Sequence, residues 1–211
     1  MRELAEMESL DLQDGQLAAL PESFGSLTIM EVLKLSNNEI TALPDSFGEL
    51  VALRDLQLHD NELTELPASF GQLGNLERLT LQHNQLVRLP TNIHQLWKLE
   101  ILELHDNRLT TLPESFGALK ELRFLLLHRN QLASLPDSFG GLTAMEDVTL
   151  DENQLEELPS SFENLSALRV LSAGGQYVTM LPANIIGPVT VLRRLILSDN
   201  MLLQLPQSSS S

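Results

Sequence analysis

Apolar residues along this chain keep neither a helical nor a strand period for long. They return as a block. Within each block Leu-x-Leu alternates apolar and polar positions, as at Leu56-Gln57-Leu58. That alternation predicts a short strand whose leucines turn inward while the residue between them turns out. A Leu-Pro pair follows, and the proline, having no N–H, stops strand pairing and starts a return segment. The return segment, Ser-Phe-Gly-x-Leu, predicts a short helical or 3-10 stretch that buries its Phe, with Ser23, Ser46, Ser69, Ser115 and Ser138 as N-caps. Leu-Pro recurs from Leu20-Pro21 to Leu205-Pro206 at steps of 23 residues seven times, then 24 once. A fixed period in this range marks a solenoid, in which no unit buries its apolar side alone and stacking supplies the core.

The aligned units read Leu-Pro-x-Ser-Phe-Gly-x-Leu-x-x-Leu-x-x-Leu-x-Leu-x-x-Asn-x-Leu, as from Leu43 through Phe47, Leu53, Leu56, Leu58 and Asn61 to Leu63. A side-chain amide both donates and accepts, so stacked Asn38, Asn61, Asn84, Asn107, Asn130 and Asn153 are expected to satisfy backbone groups that a tight turn leaves unpaired. This pattern resembles the leucine-rich repeat family over Met1 to Pro206. The resemblance implies an α/β solenoid, a right-handed superhelical arc with a concave parallel β-sheet and short helical or 3-10 convex segments. Nine strands ~4.8 Å apart would give a face roughly 40 Å long. Leu-Pro and Asn-x-Leu at this period resemble the intracellular subclass that includes Ras-binding leucine-rich scaffolds, plant intracellular Ras-group repeat proteins, and the Scribble and Erbin group. That resemblance implies signalling or polarity scaffolding through protein contacts, with a small GTPase or a protein phosphatase catalytic subunit as partner. The alternative it implies is a recognition or regulatory fragment of a larger signalling enzyme, such as a repeat-containing kinase or GTPase, with catalysis outside this chain.

Residues 1–206 read as one repeat domain and 207–211 as a Ser-rich tail. Registering Leu4, Met7, Leu10 and Leu12 on the consensus puts Met1 at the Phe position, in the middle of a unit. An uncapped fragment is expected, with apolar ends able to self-associate. Gln176 stands where Asn belongs, after Gly174-Gly175, and an extra residue falls within 183–189. An interrupted Asn ladder and local irregularity are expected there.

Charge narrows the partners. The 211 residues carry 13 basic and 29 acidic side chains, a net charge of −16, which opposes nucleic acid and anionic membrane surfaces. Without cysteine there are no disulfides, thiolate metal sites or cysteine nucleophiles. Charges at Arg2, Glu3 and Glu6 fall where a signal peptide needs an apolar core, and no stretch approaches the ~20 apolar residues that span a bilayer. A cytoplasmic chain without membrane insertion is expected. No phosphate loop, nucleophile elbow, zinc-protease helix or dinucleotide glycine run occurs, so no catalytic or cofactor site is expected.

Function is therefore sought at the outward positions of the predicted strands. Six of the seven phenylalanines occupy the return segment; Phe124 alone points outward, beside Ile101 and Leu126. An exposed apolar cluster rimmed by Arg123, Arg129, His105 and His128 has the make-up of a protein-binding hot spot. Eight of the ten arginines flank the strands, with Arg123 and Arg129 in one unit and Glu146, Asp147, Asp151 and Glu152 in the next. Such bands suit a partner of complementary charge, or else pair across strands. The candidate protein-binding residues are Arg78, Ile101, Glu103, His105, Arg123, Phe124, Leu126, His128, Arg129 and Asp147. His59, His83, His105 and His128 share this side, where imidazoles can give binding a pH dependence near neutrality. His105 and His128 lie close enough in principle to share zinc with Asp106, but parallel rungs suit tetrahedral geometry poorly, and no metal site is expected. Convex Trp97, between His94 and Lys98, is read as packing on its neighbours.

Overall fold

Each Leu-x-Leu contributes a strand of three residues, and the strands join in chain order into one parallel sheet. They are β1 (Ser9–Asp11), β2 (Val32–Lys34), β3 (Asp55–Gln57), β4 (Arg78–Thr80), β5 (Ile101–Glu103), β6 (Phe124–Leu126), β7 (Asp147–Thr149), β8 (Val170–Ser172) and β9 (Arg194–Ile196). Register is set by sequence period: Leu33, Leu56, Leu79, Leu102 and Leu125 are successive partners. The computed structural model describes residues 6–183, 185 and 191–205. Expectations for Met1, for most of 183–189 and for the serine tail lie outside the described residues.

Among the described residues, six return segments form five-residue 3-10 turns such as Asp45–Glu49 and Glu114–Ala118, each entered through the proline, and a seventh, Ile93–Gln95, has three residues. Pro44 sits at ψ 154° and its carbonyl accepts from Phe47 N–H at 2.9 Å, closing the first turn. The serines do not cap these turns, which corrects the N-cap expectation. Several serines of the return segments tie coils together instead. Ser46 Oγ donates to Glu22 O at 2.6 Å and Ser115 Oγ to Thr91 O at 2.6 Å, while Ser161 Oγ accepts from Gly140 N–H at 3.2 Å. Such short contact requires glycine: a Cβ on Gly48 would lie 2.3 Å from Ser69 O.

Leu50, Leu53, Leu56, Leu58 and Leu63 of one coil are fully buried, as is Phe47, and equivalent residues of every interior coil continue one core. Equivalent phenylalanine rings are 6.4 Å apart from Phe24 to Phe47 and 6.2 Å apart from Phe47 to Phe70. Parallel strands sit only ~4.8 Å apart. Coils spaced more widely on the phenylalanine side than at the sheet must curve, with the sheet inside. Ile93 takes the aromatic place in the fourth full turn, splitting the phenylalanine column in two.

The asparagine ladder forms as expected. Asn61 Oδ1 accepts from Ile40 N–H at 3.0 Å, and its amide donates to Leu35 O at 2.9 Å and Leu58 O at 3.1 Å. Gln176 does not interrupt it, which corrects the sequence reading. Its Oε1 accepts from Leu155 N–H at 2.9 Å, its Nε2 donates to Leu150 O, and Asn200 continues with Val178 N–H at 3.1 Å. The residue before each ladder amide takes positive φ: Asn37, Asp60, His83, Asp106, Arg129 and Glu152 at 54–55°, Gly175 at 65° and Asp199 at 53°.

Candidate functional site

The register arranges the outward side chains in rows across the sheet. Asp55, Arg78, Ile101, Phe124 and Asp147 are consecutive partners in one row, and Gln57, Thr80, Glu103, Leu126 and Thr149 in the next. The residues selected from sequence thus gather on β4 to β7. Ile101 and Phe124 are neighbours, with Leu126 on the same face two residues along β6. All three are half-buried rather than exposed, which corrects the expectation of an open apolar cluster. Rows ~4.8 Å apart let long side chains cover one another. The Arg123 guanidinium carbon lies 5.5 Å from the Phe124 ring centroid, a cation–π contact.

Charged bands of neighbouring coils are joined to each other. Arg78 Nη2 donates to Glu103 Oε1 at 2.8 Å, diagonally across β4 and β5. Arg123 Nε donates to Glu146 Oε1 at 2.8 Å, and Arg169 Nη1 reaches Glu146 Oε2 at 2.7 Å. Arg129 lies 3.3 Å from Glu152 and 3.8 Å from Asp106. Much of the charge expected to face a partner is therefore engaged within the molecule, in solvent-screened pairs that add little stability. Glu146 is the hub that sequence reasoning missed. Its side chain is 13% exposed, and the hydrogen bond from Arg123, aided by the charges of Arg123 and Arg169, holds its carboxyl below the usual range. A signal was present in the column Glu31, Arg54, Glu77, Glu100, Arg123, Glu146, Arg169, where sign changes recur at 23-residue steps.

His105 and His128 stack with ring centroids 4.3 Å apart, and His83 meets His105 edge-on at 5.5 Å. Burial, then the charge of His128, pushes His105 down to about 4; burial also lowers His128. These two imidazoles are neutral near pH 7, so the pH dependence expected of them near neutrality moves to acid. His128 Nδ1 turns to Thr149 Oγ1 at 3.1 Å. Ligand atoms of His83, His105 and Asp106, a different set from the His105, His128 and Asp106 weighed and set aside from the sequence, all lie within 4.8 Å of one another. On the convex side Trp97 is 57% exposed, with Lys98 Nζ 4.9 Å from its ring.

A parallel sheet on the inner surface of stacked coils, carrying side chains in addressable rows, defines a solenoid recognition scaffold. The leucine-rich repeat family model matches residues 5–63, 43–86 and 74–132, more than half of the chain, and this protein belongs to the leucine-rich repeat family. No protein of curated function matches it by sequence. Among solved structures, a TDR receptor superposes with TM-score 0.84 at 27% identity, over 93% of this chain and 35% of the receptor chain. A chain of the Drosophila Toll–Spatzle complex gives 0.81 at 28% identity, over 94% of this chain and 27% of its own. A plant peptide hormone receptor, RGFR1, solved with RGF2, gives 0.78 at 27% identity over 94% and 37%. This chain thus spans about a third of those receptors. Among the described residues no helix is long and apolar enough to cross a membrane.

Proposed function

We propose that this chain is a non-catalytic protein–protein interaction scaffold that holds a protein partner on its concave face over β4 to β7 and acts in intracellular signal transduction in the cytoplasm. One observation carries the reading: Phe124, the single phenylalanine outside the buried column, sits on the solvent side of the sheet with Ile101 and Leu126. Receptors of the same fold solved with RGF2 and with Spatzle support a protein as the partner class. A small GTPase or a phosphatase catalytic subunit is favoured by the resemblance of the 23-residue pattern to Ras-binding scaffolds. Arg78, Glu103, Arg123, Arg129, Asp147, His105 and His128 surround the apolar centre and set orientation.

The test is a lysate pull-down with mass spectrometry, comparing wild type with Phe124→Asp/Leu126→Asp once circular dichroism shows both folded. Specific partners are retained by wild type, and the double variant loses at least ~30-fold in affinity, as removal of a hot spot of about 2 kcal/mol requires. Recovery of the same proteins by both would remove the central face as the binding surface.

A further inference from the structure

Polar atoms without partners cluster at one place on the concave face. Among the described residues, five buried side-chain atoms lack a hydrogen-bond partner, and four of them belong to Arg78, Thr80, Gln82 and His105. These four lie on adjacent rungs, β4 and β5 with their following turns. Buried polar groups are nearly always satisfied, so a local concentration of orphans points to something that binds there. The His105 atom is Nδ1, a ring nitrogen with no protein partner. His83 and Asp106 each follow their strands at φ 54°, and this left-handed turn aims both side chains to one place beside His105. His83 Nδ1 is 3.9 Å from Asp106 Oδ2.

We propose that His83, His105 and Asp106 form a binding site for a divalent transition-metal ion of the zinc class. The donor set decides the class. Two imidazoles and one carboxylate without thiolate suit zinc, nickel or copper, whereas calcium and magnesium prefer all-oxygen ligands. Three protein ligands leave further positions for water. Donor atoms up to 4.8 Å apart must close toward the ~3.3 Å spacing that metal–ligand bonds of ~2.0–2.1 Å impose, and half-exposed His83 has the rotational freedom to do it. The cation opposing the ion is Arg129, 3.8 Å from Asp106 Oδ1; it also has Glu152, 3.3 Å away, as partner when Asp106 turns to the metal. The net charge of −16 favours cation approach. This inference does not depend on the protein-binding reading.

The experiment titrates zinc into the whole chain at pH 7 by calorimetry. His83→Asn and Asp106→Asn keep residues that tolerate positive φ, and circular dichroism confirms that each is folded. One saturable site is expected, weakened at least ~10-fold in each variant. Arg129→Asn tightens it, and His59→Gln, which removes the separate pair of His59 with Asp60, leaves it unchanged. Calcium does not compete. Absence of saturable binding, equal binding by wild type and both ligand variants, or displacement by equimolar calcium would each overturn the proposal, the last two because they indicate scattered surface carboxylates.

Discussion

Glu146 illustrates how single side chains hold this surface together. Its two carboxylate oxygens are divided between Arg123 of the coil before and Arg169 of the coil after, so three units meet at one residue. A carboxyl whose folded pKa lies below its ordinary 4.5 binds fewer protons folded than unfolded. Its stabilisation is therefore complete above pH about 4.5 and is lost as pH falls through the folded value. In Arg123→Gln the Glu146 carboxyl moves up toward its ordinary value, read from side-chain carbon shifts in an NMR titration; an unmoved titration would exclude the arginine as cause. The alternating column at 23-residue steps was visible in the sequence, but not that both flanking arginines reach one carboxylate, because that column lies outside the strand rows. The serines were misread for a related reason. Capping logic belongs to α-helices, whereas here the Pro44 carbonyl closes a 3-10 turn directly and frees Ser46 to bridge coils.

At the level of the element, the turn after each strand is held by one amide used in both directions. Asn107 accepts from Leu86 N–H and donates to Leu81 O and Leu104 O. Removing it in Asn107→Ala leaves those buried groups unpaired at ~1–3 kcal/mol each, partly relieved by relaxation. A loss of about 3 kcal/mol in urea unfolding is expected, with faster exchange of the Leu86 amide. Asn107→Gln loses less, because Gln176 shows that a side chain one methylene longer reaches the equivalent backbone groups. Equal losses in both variants would show that the bridging bonds are not the source. Strand positions and inward leucines were legible because burial fixes their period. The substitution at Gln176 was not, since spacing does not disclose that a longer amide, placed after glycine at φ 65°, closes the same turn.

For the whole molecule, stability is distributed by position in the stack. The central leucines of β2 to β8 are buried, or a buried valine in β7, while Leu10 of β1 and Leu195 of β9 are only half-buried. In a chain where each unit contacts its neighbours alone, protection should fall toward both ends. Hydrogen exchange is expected slowest in β4 to β6 and fastest in β1 and β9; uniform rates would mean one all-or-none unit. The architecture was readable because one period governs it throughout. The binding face was readable only as a set of rows: which arginine meets which glutamate, and that His83 rather than His128 approaches Asp106, depend on diagonal reach and on a left-handed turn that no spacing reveals. Most of the ladder and ion-pair bonds between coils described above link residues 21, 23 or 26 positions apart, the exceptions being the diagonal Arg78–Glu103 pair at 25 and Val178–Asn200, past the extra residue, at 22. Their geometry is blind to which unit precedes which. Excising or duplicating one 23-residue cassette would re-form the same junctions while sliding the Phe124 patch and the histidine cluster by a whole rung. Surface chemistry is in this sense movable type set in an invariant frame, open to rearrangement by recombination at unit boundaries.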